Sequence, residues 1–237
     1  MPGTESHEFQ KALGSPGLFA PNRLLRQIVD VSIDLLFPPR CAGCGRVDSI
    51  WCDTCQEALE TTLFPNHVAP LAPFTGMAST AVHQGIIREA VQGLKYGNAP
   101  LLAEFLGKRL NQQLQHMDWT IDMIVPVPLH TTRLITRGYN QAQLLSEQVA
   151  QETGKLCSPD AVHRQRNTQS QVTLNAVERQ TNMADAFQAN PAIVSHQRIL
   201  VIDDVYTTGA TLSACGQAIL QAGAQAVYGL TVTVARL

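Results

Sequence analysis

The sequence predicts an α/β protein, a mostly parallel sheet flanked by helices, with a small cysteine module ahead of it. Three observations carry that prediction. From about residue 78 onward, strand-like apolar segments alternate with segments of helical period, which favours parallel βαβ units. Ile199, Leu200, Val201 and Ile202 form an uninterrupted apolar run, as a central strand covered on both faces requires. Cys41, Cys44, Cys52 and Cys55 lie within fifteen residues of one another, ahead of the alternating region. The chain has 237 residues, 45% of them apolar and 15% charged, enough for one large domain or one domain with a small module.

Residues 1–22 are rich in Gly, Pro, Ser and His and read as a loose extension; with the start of the next helix they make a first segment, 1–30. Over 24–37 the apolar residues Leu24, Leu25, Ile28, Val29, Val31, Leu35 and Leu36 suit an amphipathic helix, stopped by Pro38-Pro39. The cysteine module is taken as 31–62, and Pro65, Pro70 and Pro73 mark an irregular linker. The sheet domain follows over 75–237. A short extended piece at 80–83 leads into a helix through Ile86, Ile87, Ala90, Val91 and Leu94. A second helix covers 101–114. Residues 121–125 are a short strand, closed off by Pro126 and Pro128. Helix returns at 141–153, strand at 199–202, helix at 212–222 up to Gly223, and a last strand at 227–234.

Several classes are disfavoured. Net charge is 17 − 19 = −2 and the pI about 6.4, so global charge gives no sign of a nucleic-acid binder. No apolar run approaches the roughly 20 residues a membrane span needs, and 28–37 is interrupted by Asp30 and Asp34. Glu5 and Glu8, with no Lys or Arg in the first ten residues, argue against an export signal. The expectation is a cytoplasmic protein without membrane insertion.

The stretch ILVIDDVYTTGAT at 199–211 carries the chemistry. Adjacent strand residues point to opposite faces, so Asp203 and Asp204 can address one ligand only if the strand ends there. Thr207, Thr208, Gly209, Ala210 and Thr211 are turn material leading into a helix, which supports that ending. A helix N-terminus offers unpaired N–H groups and a positive dipole end, and the threonine hydroxyls add donors. Gly209 permits close approach or a positive φ. Carboxylates beside such a cradle make sense if they hold sugar hydroxyls, or a Mg²⁺ that screens the phosphate charge. Taken singly, each residue reads as cap or turn; the ordered set is what argues for a ligand. No lysine follows the glycine as in a Walker loop, and the dinucleotide fingerprint is missing.

The 199–211 segment resembles the signature of type I phosphoribosyltransferases. A second run, Ile124-Val125-Pro126-Val127-Pro128-Leu129-His130 with Arg133 and Arg137-Gly138-Tyr139-Asn140-Gln141, resembles one subgroup, the competence protein F (ComF) family with its gluconate-uptake-associated relatives. Leu94-Lys95-Tyr96-Gly97, Arg166, Thr168, Gln171, Glu178-Arg179, Asn182 and Phe187 also match, as does the cysteine cluster after Leu36-Phe37-Pro38-Pro39-Arg40. The resemblance covers about residues 31–237. It implies that the acids contact the ribose 2′- and 3′-hydroxyls of phosphoribosyl pyrophosphate and that the loop after them holds the 5′-phosphate. By analogy, pyrophosphate lies at the second loop, with Arg133 and Arg137 as anchors; each is equally readable as a solvated surface charge. Lys95 either reaches a phosphate or merely ends a helix. The polar stretch 164–182 resembles the hood that closes over the substrate, and a plain surface loop would look the same.

Cys41-x₂-Cys44-x₇-Cys52-x₂-Cys55 supplies two knuckles able to wrap one tetrahedral ion, and Gly43 and Gly45 supply the turns. A closed shell of four thiolates is the pattern of structural zinc; iron held rubredoxin-fashion competes, and two disulfides are the remaining reading. Cys157 and Cys215 read as core residues, and His130 as a loop donor.

Two functions follow. In one the protein is a phosphoribosyltransferase using Mg²⁺, with Asp203, Asp204, Arg133 and Arg137 carrying the chemistry; no Ser-His-Asp or Cys-His set suggests another. In the other the fold is a nucleotide-sensing or DNA-handling module. The ComF resemblance implies DNA uptake, single-stranded DNA and a helicase-like partner. Independent support for DNA is slight: 133–182 holds six Lys or Arg against four acids, with few aromatics for stacking.

Overall fold

The computed structural model describes residues 38–62, 71–164 and 186–235; the helix expected at 24–37 and the hood-like stretch beyond residue 164 fall outside them. A five-stranded sheet is built from β1 (Gly76–Val82), β2 (Met123–Pro126), β3 (Leu156–Cys157), β6 (Arg198–Tyr206) and β7 (Ala226–Val234). Its order is β1-β7-β6-β2-β3 and every neighbouring pair is parallel. A separate antiparallel pair joins β4 (Val162–Arg164) to β5 (Phe187–Ala189). The helices are α1 (Asp53–Glu60), α2 (Gly85–Tyr96), α3 (Leu102–Gln115), α4 (Thr131–Arg137), α5 (Gln141–Thr153), α6 (Pro191–Val194) and α7 (Ala210–Gln221).

The apolar run in β6 is explained by cover on both faces. Ile199 and Val201 enter one core with Met77, Val125 and the α7 residues Leu212, Cys215 and Ile219. Leu200 and Ile202 enter the other with Ile87, Val91 and Leu94 of α2, Leu106 of α3 and Leu145 of α5. Each fully buried Leu or Ile contributes on the order of 1.5–3 kcal/mol, so the alternation fixes which way β6 faces. Helix ends are set locally. Asn140 caps α5 by accepting from the Ala142 N–H at 3.1 Å, and its Nδ2 donates to the Val127 carbonyl at 3.0 Å, tying the helix to the loop after β2.

Three features differ from the sequence expectation. The central strand does not stop at Ile202. β7 runs alongside as far as Val234 and pairs Asp203 with Thr231, Val205 with Thr233 and Tyr206 with Val234. β2 stops opposite Ile202, so beyond that point β6 is paired on one edge only. The segment at 131–137, for which the sequence predicts no helix, is helical. None of its residues is buried, so it lacks the apolar period by which helices are recognised. It is delimited by His130, whose Nδ1 accepts from the Thr132 N–H at 3.2 Å, and by Gly138 at φ 82°. The module helix α1 and the β4–β5 pair also escaped prediction, being short.

From Arg40 onward the chain forms one compact unit that includes the cysteine module. The side chain of Arg109, on α3 and 4% exposed, lies between the module and the sheet. It donates to the carbonyls of Leu59 at 3.1 Å and Thr80 at 3.0 Å, to the Thr80 hydroxyl at 3.2 Å, and to the Thr62 carbonyl. Leu59 and Thr62 sit at the C-terminal end of α1, where carbonyls lack helical partners, so Arg109 caps that helix from another element. Burial brings its guanidinium down to about 10.

Candidate functional site

The acid pair lies at the carboxyl edge of the sheet, in extended backbone. Asp203 and Asp204 therefore alternate between faces. Asp204 is 4% exposed; its Oδ1 is 2.7 Å from the Lys95 ammonium, and its Oδ2 has no partner among the described residues. Asp203 is half-buried and turns its Oδ1 back to accept the Asp204 N–H at 2.8 Å. Burial, reinforced by the Asp204 charge, pushes its carboxyl up to about 7, against the pull of the Asp204 N–H, Lys95 and Arg164. The neighbouring Asp203 charge adds to burial in raising the Cys215 thiol. Cys215 is an α7 core residue, as expected, and is fully buried.

Beyond Tyr206 the chain turns through exposed Thr207 and Thr208 into buried Gly209, at φ 77° the N-cap of α7. A Cβ at Gly209 would stand 2.6 Å from the Tyr206 ring and would also strike Leu71, so geometry and space both demand glycine. No side chain caps α7. The Thr208 hydroxyl lies 3.5 Å from the Ala210 N–H, and the first turn at Ala210 and Thr211 is half-buried. The arrangement is an open helix N-terminus with hydroxyls beside it, next to two carboxylates.

A cavity of about 710 Å³ opens between the C-terminal end of α2 and helix α4, with Lys95, Tyr96, Asn98, Arg133, Arg137 and Tyr139 among its walls. Three cations and no carboxylate line it. Arg137 lies 5.3 Å from the centroid of the Tyr96 ring and donates to Gln141 Oε1. The Tyr139 hydroxyl donates to the Leu94 carbonyl at 2.6 Å and holds the two walls together. Arg133 and Arg137 thus share a cavity with Lys95, and Lys95 joins that cavity to Asp204. Lys95 is ambiguous in the sequence, because its partner is 109 positions away and only the packing of α2 on the sheet brings them together.

The four cysteines converge as their spacing predicts, with all four Sγ atoms within 4.8 Å of one another. Separations of 3.7 Å (Cys41 to Cys52), 3.6 Å (Cys41 to Cys55) and 3.6 Å (Cys44 to Cys52) fit a tetrahedral shell. With metal–sulfur bonds near 2.3 Å, its edges would be about 3.8 Å. All four are free thiols, too far apart for disulfides. Burial opposes ionisation of Cys41, yet the backbone N–H groups of Cys44, Cys52 and Gly43 overcome it and bring the thiol down to about 6. Burial and the adjacent thiols push Cys55 up. One thiolate is thus prepared, and a metal ion would supply the charge that the others need. A Cβ at Gly43 would lie 2.7 Å from both Cys55 Sγ and Ile86, so the knuckle packs directly on α2. Purified protein is expected to carry one metal ion per chain by elemental analysis. Cys41→Ser should lose it and unfold at lower temperature; retention of the ion would refute the four-thiolate assignment.

No family model matches the chain. A similar relative is the DNA utilization protein YhgH of Salmonella typhimurium, 35% identical over 192 residues, covering 79% of this chain and 80% of the relative. The chain belongs to the YhgH family. The chain is also similar to competence protein F of Haemophilus influenzae, 34% identical over 113 residues, 46% of this chain and 49% of that protein. Among solved structures, the glutamine phosphoribosylpyrophosphate amidotransferase of B. subtilis complexed with ADP and GMP aligns with a TM-score of 0.43 and 16% identity, covering 60% of this chain and 30% of that one. Among the described residues no helix is long and apolar enough to cross a membrane.

Proposed function

We propose that this member of the YhgH family binds phosphoribosyl pyrophosphate together with Mg²⁺, as a phosphoribosyltransferase-like protein serving DNA utilisation. The observation that carries the reading is the conjunction at one sheet edge. Two carboxylates suited to a diol, an open helix N-terminus behind a glycine that admits no side chain, and a cavity lined by three cations lie side by side. A bare phosphate would need only the helix end. The acids make sense for a ribose, and the cations for a second, more highly charged group.

In this reading the strand does not need to end for the acids to share a ligand: Asp203 and Asp204 flank the edge that β6 leaves unpaired beyond Ile202 and take the 2′- and 3′-hydroxyls from either side of it. Thr207, Thr208, Gly209, Ala210 and Thr211 surround the 5′-phosphate, and Arg133 and Arg137 face the pyrophosphate. Mg²⁺ screens the diphosphate charge when bound. If transfer follows, the C1′–O bond breaks with its electron pair leaving on pyrophosphate, and an acceptor's lone pair forms the new bond to C1′. The protein contributes position and charge neutralisation rather than a nucleophile. In the same reading the Cys41, Cys44, Cys52 and Cys55 shell holds structural zinc, and the protein works in the cytoplasm.

A second reading, single-stranded DNA docking with a helicase-like partner, is favoured by one observation. The Tyr96 ring is 78% exposed beside Arg137 at the mouth of the cation-lined cavity, an aromatic platform next to phosphate-binding groups. The two readings separate in one experiment. Bases and nucleotides are screened for pyrophosphate release from the donor, alongside titration with a fluorescent oligonucleotide at several salt concentrations. Turnover identifies a transferase. Donor binding without turnover, with oligonucleotide affinity falling steeply in salt, identifies the DNA-handling module. Absence of donor binding rejects the proposal.

A further inference from the structure

We propose that Lys95 serves the two halves of the site in turn, as counter-ion of Asp204 in the free protein and as a ligand of the diphosphate once a sugar diol occupies Asp204. The inference rests on the phosphoribosyl pyrophosphate reading above and assigns a role that the acid pair and the two arginines leave open.

The backbone of Lys95 is fixed. Its neighbour Leu94 is fully buried against the sheet, and the Leu94 carbonyl is held by the Tyr139 hydroxyl at 2.6 Å. Only the side chain has freedom, and it stands at a junction. Nζ is 2.7 Å from Asp204 Oδ1, and the same side chain lines the cavity that Arg133 and Arg137 share. Asp204 meanwhile is half satisfied, with Oδ2 buried and unpartnered. Leaving such an acceptor empty costs on the order of 1–3 kcal/mol. A ligand hydroxyl arriving there relieves that cost and brings its own donors to the carboxylate. The ammonium then becomes surplus on Asp204, and the nearest anion is the diphosphate in the adjoining cavity.

Residue type supports the exchange. Lysine is a point charge on a flexible stem and turns between partners by rotating its side chain. An arginine would grip the carboxylate with two parallel bonds and stay there.

The test is calorimetric titration of the full-length protein with phosphoribosyl pyrophosphate, ribose 5-phosphate and inorganic pyrophosphate, each with Mg²⁺, for wild type, Lys95→Met and Lys95→Arg. Lys95→Met is expected to weaken phosphoribosyl pyrophosphate and pyrophosphate by roughly 10- to 100-fold, as for loss of a charge-assisted bond. Ribose 5-phosphate should bind it as well as wild type or better. Lys95→Arg, which keeps the charge but clamps Asp204, should weaken all three ligands, and thermal unfolding of each variant shows that the fold persists. Equal losses of ribose 5-phosphate and phosphoribosyl pyrophosphate in Lys95→Met would mean that Lys95 only props Asp204, which overturns the inference. Unchanged binding of all three to Lys95→Met would make it a bystander, with the same consequence, while leaving the donor site standing. Failure of the wild type to bind any of the three removes the donor site and the inference together.

Discussion

Asp203→Asn combined with Asp204→Asn is expected to eliminate measurable binding of phosphoribosyl pyrophosphate while leaving the fold intact. Both replacements keep shape and size, so neither opens a cavity. Each carboxamide still offers an oxygen, but without the charge that makes a carboxylate the stronger acceptor for sugar hydroxyls and for a divalent ion. The fold should survive because Lys95, whose side chain is 20% exposed, can turn to the cavity when its partner is neutralised. Asp203 adds a pH signature. Its carboxyl titrates higher in the folded chain, at about 7, than in an unfolded one, near 4, so the folded state binds the extra proton. Ionised Asp203 therefore works against folding, and native stability falls as pH rises from about 4 to about 7. Asp203→Asn removes that loss. Its melting temperature should exceed that of wild type most at pH 8 and converge with it near pH 4. A variant that melts lower than wild type at pH 8 would contradict the half-buried, charge-crowded setting of Asp203, and unchanged donor affinity in the double variant would reject the site.

Arg109→Met should be the most damaging single change away from that site. Methionine fills much of the space of the arginine stem, so packing loss is limited. The carbonyls of Thr62 and Thr80 lose the guanidinium as donor, at about 1–3 kcal/mol for each acceptor left empty, while that of Leu59 keeps only the Thr62 N–H at 3.1 Å. A net loss of about 3 kcal/mol, partly offset by no longer burying a charge, would lower the melting temperature by roughly 6–12 °C. The effect should reach the metal centre, because the helix that Arg109 caps at one end carries Cys55 near the other. Faster loss of the ion to a chelator, measured with a colorimetric zinc indicator, is the diagnostic readout. Arg109→Lys, which keeps the charge but not the fork, should fall between the two. A melting temperature within a degree of wild type for Arg109→Met would show that the module and sheet hold together without this contact.

Much of the site was legible because its parts are local. Asp203, Asp204, Gly209 and the start of α7 lie within a few residues, and strand, turn and helix each impose a recognisable residue choice. The cysteine knuckles are local in the same sense: spacing favours one shell, and the convergence of the four Sγ atoms, too far apart for disulfides, decides against two bridges. Helices α2, α3, α5 and α7 were readable because each presents an apolar stripe to a core. Helix α4 was not, since all its residues face solvent or the cavity and no periodic burial marks it. The end of the central strand was misplaced for a different reason. Residues 203–206 look like turn material by themselves, and only the presence of β7 alongside keeps them extended.

The sequence by itself determined the α/β class, the central strand, the acid pair with its glycine turn, and the four-thiolate shell, all features in which one short segment carries its own physical signature. Tertiary structure decided what meets what. Packing of α2 on the sheet sets Lys95 against Asp204, the register of β6 on β7 sends the two acids to opposite faces, and burial of α3 places Arg109 under the end of α1. Those relations span from 28 to 109 positions of chain, where no local preference operates and only the shape of the shared core fixes the distance.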